Sequence, residues 1–218
     1  MGNKKVLRFE GKEADVSWDG RLCIHMEECW RDKSDLFELG RRPFGQPDLV
    51  SVDHILEVAQ RCPSGAIVFL PHGDVQSETA DLENTVRVAP DGPLYFTGEL
   101  DIDGAEDEMG GVVFRAALCR CGLSKNKPFC DGSHSEGGFK DTGAVGQTGQ
   151  QNNDNGGLLT VTAAKDGPLL INGNFTIHSG AGRATWSGTK AALCRCGQSK
   201  NKPFCDGSHR KAGFTSDD

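Results

Sequence analysis

The sequence has no long hydrophobic run. Its longest uninterrupted apolar stretch is residues 66–70, whereas a membrane-spanning helix needs about 20 apolar residues. Residues 1–11 contain no apolar segment of the kind found in signal peptides, and Val6 stands where N-myristoylation requires Ser or Thr. We therefore expect a soluble, cytoplasmic protein that has no membrane partner.

Aromatic residues and positive charge are both scarce. Only 7% of the residues are aromatic and 29 are glycine, which predicts a thin hydrophobic core that bound metal would help to stabilise. The 24 Lys and Arg are outnumbered by 31 Asp and Glu, so the formal net charge is −7. Because phosphate binding needs a positive surface, this balance argues against nucleic acid as a main partner.

Cysteine is present in an odd number. Nine cysteines in 218 residues are too few for a disulfide-rich secreted scaffold, and an odd count excludes complete pairing within the chain. In a reducing compartment, clustered cysteines usually indicate metal or redox chemistry rather than disulfide bonds.

Six of these cysteines belong to an internal repeat. Residues 119–134 recur as residues 194–209, and of the sixteen positions only one differs, Leu123 against Gln198. The same offset of 75 carries residues 91–94 onto 166–169. A constant offset over this length predicts that the second half of the chain duplicates the first.

Short strands separated by Asp-Gly-Pro turns are predicted within each repeat. A flexible linker rich in Gly, Asn and Gln is predicted over residues 143–157, between repeat 1 (84–142) and repeat 2 (158–218). The predicted strands are residues 85–88, 94–97 and 112–118 in repeat 1, and 158–162 and 169–171 in repeat 2.

Residues 1–80 do not belong to the repeat and predict a separate small α+β module. Apolar residues at helical spacing predict a helix over residues 52–61, with Ser51 as its N-cap. Strands are predicted over residues 5–9 and 66–70. The fold class predicted for the whole chain is α+β, with this module followed by two β-rich repeats.

Each repeat places three cysteines and one histidine in sixteen residues, with the spacing C-x-C-x8-C-x3-H. Four such ligands suit tetrahedral iron or zinc. From the ligand count alone, a structural zinc site is about as well supported as an iron site. The candidate ligands are Cys119, Cys121, Cys130 and His134 in repeat 1, and Cys194, Cys196, Cys205 and His209 in repeat 2.

The longer pattern C-x-C-x2-S-x3-P-x-C-D-G-S-H, present in both repeats, resembles the signature of the CDGSH (mitoNEET-like) iron–sulfur family. This resemblance implies that each repeat binds a 2Fe-2S cluster through three cysteines and one histidine. It also implies that the two repeats intertwine about a pseudo-twofold axis, as a single-chain equivalent of the family's homodimer. The chain lacks a membrane anchor of the mitoNEET kind, so that location is not carried over.

A histidine ligand has its own chemistry. Replacing one thiolate by a neutral imidazole removes negative charge from a cluster, which raises its reduction potential. The imidazole must also stay deprotonated to hold iron, so we expect His134 and His209 to be the acid-labile ligands. Asp131 and Asp206 follow the third cysteine of each motif, and we expect them to interact with these histidines.

The three remaining cysteines form a second constellation in residues 1–80. Cys62 is followed by Pro-Ser-Gly, which resembles the closing half of bacterial-type ferredoxins, and Cys23 and Cys29 resemble the opening half. Met26 stands where such proteins have a middle cysteine. The resemblance implies a 3Fe-4S cluster held by the three cysteines, or a 4Fe-4S cluster completed by His25. A degenerate site with three free thiols is the alternative.

No nucleophile, metalloprotease or nucleotide-binding motif is present, so we do not expect an enzyme. The leading hypothesis is a multi-cluster iron–sulfur protein that transfers electrons, or clusters, to redox or apo-acceptor proteins. A redox or pH sensor with labile clusters and a zinc-stapled interaction module are the alternatives. A monomer is plausible because the tandem repeat mimics a dimer.

Overall fold

The computed structural model describes residues 6–31, 35–107, 109–150 and 156–216. Within these ranges the chain is mostly strand with few helices, which confirms the predicted α+β class. The elements, in chain order, are β1 (Val6–Phe9), β2 (Ala14–Asp19), α1 (Val52–Arg61), β3 (Ile67–Pro71), β4 (Thr85–Val88), β5 (Leu94–Thr97), β6 (Leu100–Ile102), β7 (Arg115–Leu118), α2 (Ser133–Glu136), β8 (Leu159–Ala163), β9 (Leu169–His178), β10 (Ala184–Leu193) and α3 (Ser208–Lys211).

The N-terminal module is an antiparallel sheet in the order β1-β2-β3 with α1 packed against β3. The predicted helix is confirmed at both ends. The Ser51 hydroxyl accepts the His54 N–H at 3.3 Å, as an N-cap does. The helix ends at Arg61 because Cys62 precedes a proline, and that position disfavours helical backbone. This end of the helix delivers Cys62 to the module's candidate site.

The two repeats share one seven-stranded sheet. Its order is β6-β8-β9-β4-β5-β7, and β10 pairs with β9 off this path. Two parallel pairings join the repeats, β4 with β9 and β6 with β8. Thr85 pairs with Thr176, and Asp101 pairs with Thr160. Adding 75 to Thr85 gives Thr160, and subtracting 75 from Thr176 gives Asp101. Each repeat therefore pairs with the other repeat in the same register.

Two predicted strands differ in extent. The run 112–118 is only partly a strand, because a 3₁₀ turn at Gly110–Val113 precedes β7. Two adjacent glycines allow this tight turn to lie against the N-terminal module. In repeat 2, the strand predicted over 169–171 continues to His178. Gly173 lies within this strand, opposite a register shift between Gly188 and Lys190 of β10.

The stretch predicted as a linker makes contacts in its described part. The Gly180 N–H donates to the Gly143 carbonyl at 2.8 Å, and Val145 packs against the core of the sheet. Residues 151–155 of this stretch, and residue 5 of the first predicted strand, lie outside the described residues.

None of the helices in the described ranges combines the length and the apolar composition that crossing a bilayer requires.

Candidate metal centres

Each repeat folds its cysteine motif back onto the strand that leads into it. In repeat 1 the Cys119 N–H donates to the Pro128 carbonyl at 2.9 Å. The Cys130 N–H donates to the Ala117 carbonyl at 2.8 Å, so the loop closes beside β7. The same two bonds recur in repeat 2, from Cys194 to Pro203 at 2.7 Å and from Cys205 to Ala192 at 2.8 Å.

The candidate ligands lie in pairs at the spacing that a metal ion requires. Cys119 Sγ and Cys121 Sγ are 3.7 Å apart, and Cys130 Sγ lies 3.4 Å from His134 Nδ1. Metal–sulfur bonds of about 2.3 Å at a tetrahedral angle place two sulfurs about 3.8 Å apart. The residues therefore fit a metal at each pair. In repeat 2 the distances are 3.8 Å for Cys194 and Cys196 and 3.4 Å for Cys205 and His209.

The pairs do not merge into one site for a single ion. Over the part of the chain that the structure describes, no three Cys, His, Asp or Glu side chains converge closely enough to hold one metal ion. The four candidate ligands of each repeat thus form two separate pairs and do not surround a single metal position.

Backbone N–H groups point at the sulfurs. The Leu123 N–H donates to Cys121 Sγ, and the Gly132 N–H donates to Cys130 Sγ, both at 3.4 Å. Gly132 has φ 88°, a left-handed conformation that suits glycine and turns its N–H toward the sulfur. Such hydrogen bonds stabilise thiolate charge. Gln198 and Gly207 repeat both bonds at 3.4 Å to Cys196 and Cys205.

The electrostatics of repeat 1 favour an imidazole that is ready to bind metal. The hydrogen bond with Cys121 lowers the pKa of Cys119 to about 6, and the same bond raises that of Cys121. Burial raises the pKa of Cys130 to about 12, so metal binding there must displace a proton. Burial lowers the pKa of His134, and the charge of Asp131 opposes this effect only in part. The net lowering keeps the ring neutral near pH 7.

Asp131 organises the loop that carries the histidine. Its carboxylate accepts the Lys125 N–H at 2.9 Å and the Ser133 N–H at 3.0 Å, at the start of α2. Burial alone would raise the pKa of Asp131, but these hydrogen bonds lower it. Asp206 accepts the equivalent bonds from Lys200 and Ser208 at 2.8 and 2.9 Å.

The two loops meet through their backbones. The backbones of Cys121 and Cys196 pair in an isolated antiparallel β-bridge, and both thiols are free. A Cβ on Gly122 would lie 2.8 Å from the Cys196 carbonyl oxygen, and one on Gly197 would lie 2.5 Å from that of Cys121. Since real Cβ contacts are longer, only glycine fits after each of these cysteines.

Two arginines inside the cysteine motifs are buried, a feature that the sequence alone did not predict. Arg120 is 1% exposed, donates from Nε to the Gly92 carbonyl at 2.8 Å and pairs with Asp141 at 2.5 Å. Arg195 donates from Nε to the Gly167 carbonyl at 3.0 Å. Each arginine and the Asp-Gly-Pro turn that it contacts recur together at the offset of 75. This shared recurrence was the sequence signal for a contact between the arginine and the turn.

The N-terminal cysteines line one cavity. Cys23, Cys29 and Cys62 surround it together with His25 and Met26. Cys23 Sγ lies 3.9 Å from His25 Nδ1. The structure therefore brings together the residues that the ferredoxin resemblance singles out.

The loop between Cys23 and Cys29 is strained. His25 and Glu27 have φ 56° and 65°, a left-handed conformation that costs a residue other than glycine about 1–2 kcal/mol. Such strain tends to persist at functional sites.

This cavity lies against repeat 1. Arg115, 6% exposed on β7, donates from Nε to the Cys62 carbonyl at 3.1 Å and forms an ion pair with Glu78. The Tyr95 hydroxyl on β5 donates to Met26 Sδ at 3.5 Å. Ile24 packs into the cluster formed by Tyr95, Ala117, Cys130 and Ala89. The N-terminal site and the repeat 1 site are thus separated by a thin layer of packed side chains.

Three stretches match described families. Residues 91–135 and 166–210 match the family described as "Iron-binding zinc finger CDGSH type". Residues 9–72 match the family described as "Divergent 4Fe-4S mono-cluster". The matched ranges contain all nine cysteines and the three candidate histidine ligands, His25, His134 and His209. Together with the donor geometry, these matches define an iron–sulfur-binding protein.

The chain belongs to the CDGSH iron–sulfur family, with two CDGSH repeats behind an N-terminal divergent 4Fe-4S domain. It is 36% identical over 61 residues to "Uncharacterized protein YjdI" of Escherichia coli K12, covering 28% of this chain and 80% of that protein. It is 31% identical over 70 residues to "CDGSH iron-sulfur domain-containing protein 2 homolog" of Drosophila grimshawi, covering 32% of this chain and 46% of that protein. No solved structure matches the chain.

Proposed function

We propose that the protein is a three-cluster electron carrier. A 2Fe-2S cluster is held in each repeat by three cysteines and one histidine, and a ferredoxin-type cluster is held by Cys23, Cys29 and Cys62. The observation that carries the proposal is the pairing of donors at 3.4–3.8 Å in both repeats.

The pairing favours iron–sulfur over zinc. A structural zinc ion takes four protein ligands around one atom. A binuclear cluster takes two protein ligands on each iron, so it needs two separate pairs. The sets Cys119/Cys121 and Cys130/His134 have this form, as do their equivalents in repeat 2.

At the N-terminal site we assign a 4Fe-4S cluster with His25 as the fourth ligand. The matched family is described by that cluster type. Met26 occupies the position of the missing cysteine, but its sulfur accepts a hydrogen bond from Tyr95. His25 is exposed and its Nδ1 lies 3.9 Å from Cys23 Sγ, so it would be the residue that completes the ligand set.

Electron transfer is favoured over cluster donation because two kinds of site lie on either side of one layer of packed side chains. Bound iron–sulfur clusters supply one-electron chemistry. Ile24 packs against the cluster that contains Tyr95 and Cys130, and Met26 accepts a hydrogen bond from Tyr95, so the N-terminal cavity adjoins repeat 1 on the side that carries Cys130. A protein that only donated clusters would have no need of this contact. The chain then acts as a cytoplasmic carrier for redox proteins, and not as an enzyme.

The exchange of strands supports a monomeric carrier. The offset of 75 converts each of the two cross-repeat strand pairings into the other. The backbones of Cys121 and Cys196 form a β-bridge between the two repeats. This is the arrangement expected of a pseudo-twofold, intertwined unit. One chain supplies both halves, so a second copy is not required to complete either repeat.

The test uses anaerobically purified full-length protein. We expect acid-labile sulfide, visible absorption, and iron near eight atoms per chain, which is the sum for two 2Fe-2S clusters and one 4Fe-4S cluster. Electron paramagnetic resonance of the reduced protein should show two cluster types. His25→Ala should convert the N-terminal centre to one that is paramagnetic when oxidised, as 3Fe-4S centres are. Zinc without sulfide would refute the proposal.

A second measurement separates the two transfer functions. Reduced protein is mixed with an oxidised ferredoxin, and holoprotein is mixed with an apo-ferredoxin. Electron carriage predicts rapid reoxidation in the first mixture and retention of iron in the second. Movement of iron to the apo-ferredoxin at a comparable rate would instead establish cluster donation.

A further inference from the structure

One face of the repeat 2 sheet is exposed. Along β9 the buried Leu169 and Ile171 alternate with the exposed Leu170 and Asn172. Pairing with β10 places Ala192 opposite Leu170 and Lys190 opposite Asn172, on that same outward side. We call the surface formed by Leu170, Asn172, Lys190 and Ala192 the open face.

The equivalent face of repeat 1 is covered. Subtracting 75 from Leu170, Lys190 and Ala192 gives Tyr95, Arg115 and Ala117. Tyr95 is 7% exposed, whereas Leu170 is 44% exposed. Arg115 and Ala117 are also buried, whereas Lys190 is exposed and Ala192 half-buried.

The cover on repeat 1 is the N-terminal iron–sulfur module. Its cysteine loops make the contacts, because Arg115 donates to the Cys62 carbonyl and Tyr95 donates to Met26. Ile24, next to Cys23, packs on Tyr95 and Ala117. The face of one repeat is therefore already a docking site for a ferredoxin-type module.

The repeat 2 metal site borders the open face. The Cys205 N–H donates to the Ala192 carbonyl at 2.8 Å. Cys205 is half-buried, whereas Cys130, which belongs to the cluster that Ile24 packs against, is 3% exposed. A molecule seated on the open face would therefore pack beside the strand residue that holds the Cys205 backbone.

Charge indicates the chemistry of the occupant. Residues 158–218 carry eight Lys and Arg against four Asp and Glu, whereas residues 84–142 carry six against ten. In α3, Arg210 and Lys211 stand where repeat 1 has Ser135 and Glu136, and both are exposed. The module that covers repeat 1 is acidic, since residues 1–83 carry ten Lys and Arg against sixteen Asp and Glu. A basic face selects an acidic partner.

We propose that the open face docks an acidic ferredoxin-type redox protein, in the position that the N-terminal module takes on repeat 1. This proposal rests on the proposed function, because a redox partner has a use only if repeat 2 holds a cluster. Leu170 is the apolar centre of the contact and Lys190 is its basic residue, while the exposed Arg210 and Lys211 of α3 add positive charge to the same repeat.

The test measures binding to the full-length holoprotein by titration calorimetry. The probe is an acidic plant-type 2Fe-2S ferredoxin, and the counter-probe is cytochrome c, a basic redox protein. Lys190→Glu and Leu170→Glu should each weaken ferredoxin binding by about tenfold, which is the effect of one central contact. Lys12→Glu makes the same charge change on the exposed surface of the N-terminal module and should alter it by less than about twofold.

Other results would overturn the proposal. Equal weakening by Lys190→Glu and Lys12→Glu, which make the same charge change, would show that net charge alone acts, and equal or tighter binding of cytochrome c would exclude an acidic partner. Dimerisation in sedimentation that Leu170→Glu abolishes would assign the face to a second copy. Iron, sulfide and paramagnetic resonance are measured on the same samples. Absent ferredoxin binding with intact clusters refutes the docking site alone, whereas absent clusters refute the proposed function as well.

Discussion

Gly65 and Gly111 are in backbone contact across the boundary between the N-terminal module and repeat 1. A Cβ on Gly65 would lie 2.8 Å from the Gly111 carbonyl oxygen, and one on Gly111 would overlap the Gly65 carbonyl. The turn that follows Cys62 is therefore pressed directly onto the 3₁₀ turn that precedes β7. This contact fixes how close the N-terminal cavity comes to repeat 1.

Gly111→Ala should separate the module from the repeat. The added methyl group has no space, so we expect a loss of about 1–3 kcal/mol in the free energy of unfolding, measured by urea denaturation. Gly110→Ala is the matched control, since its Cβ would meet Val68 at 3.6 Å, an ordinary contact. The control should be neutral within about 0.5 kcal/mol. Equal effects of the two substitutions would show that the glycine contact is unimportant.

Arg115→Gln should destabilise the protein far more than Lys190→Gln, its equivalent in repeat 2. The first leaves Glu78, whose side chain is 4% exposed, without its ion-pair partner, which costs about 3–5 kcal/mol. The second changes an exposed residue and should cost less than about 0.5 kcal/mol. The denaturation midpoint of each variant checks this. Similar midpoints would contradict the role of Arg115 as the buried link to the N-terminal module.

His134→Cys and His209→Cys should each lower the reduction potential of one centre. A thiolate adds negative charge where the neutral imidazole had none. It also replaces an imidazole, which releases iron when it is protonated, so loss of visible absorption in mild acid should slow in the altered repeat. Redox titration measures the potentials, and the unaltered repeat serves as an internal control. An unchanged potential would count against histidine ligation.

The acid stability of the N-terminal module should depend on Asp15. Burial alone would raise the pKa of Asp15, but hydrogen bonds from the Gly11 N–H at 3.0 Å and from Arg8 at 2.5 Å lower it. A lowered folded-state pKa gives stability that is present above the unfolded value of about 3.9 and lost as the pH falls through the folded value.

Asp15→Asn should therefore be less stable than the parent protein at pH 7, and the difference should shrink below about pH 4. Urea midpoints of the two proteins, compared at each pH, measure this difference. Both proteins carry the same candidate metal ligands, so the comparison isolates the carboxylate. A difference that stays constant across the pH range would contradict the prediction.

Local patterns in the sequence were enough to predict several elements. The helix Val52–Arg61 and the strands Thr85–Val88 and Leu94–Thr97 match their predicted ranges, because capping, periodicity and turn residues act over a few positions. The repeat and the family signature also singled out the residues that pair at metal-binding distances.

The family resemblance implied that the repeats intertwine, but the particular non-local contacts could not be predicted. The pairing of β4 with β9 joins residues about ninety positions apart, and nothing in either strand specifies its partner. Arg120 looks like a surface charge in the sequence, yet it is buried against backbone carbonyls. The cover on one repeat alone depends on Tyr95 and Arg115 meeting a module that lies elsewhere in the chain.

In the tandem arrangement, equivalent positions of the two repeats can carry different residues. In a homodimer, a substitution at one position alters both subunits, so both outward faces must keep the same residues. Here Tyr95 and Leu170 occupy the same position of the repeat with different side chains and different surroundings. Fusion into one polypeptide lets selection act on each half separately, so that one half specialises inward while the other remains available to the outside.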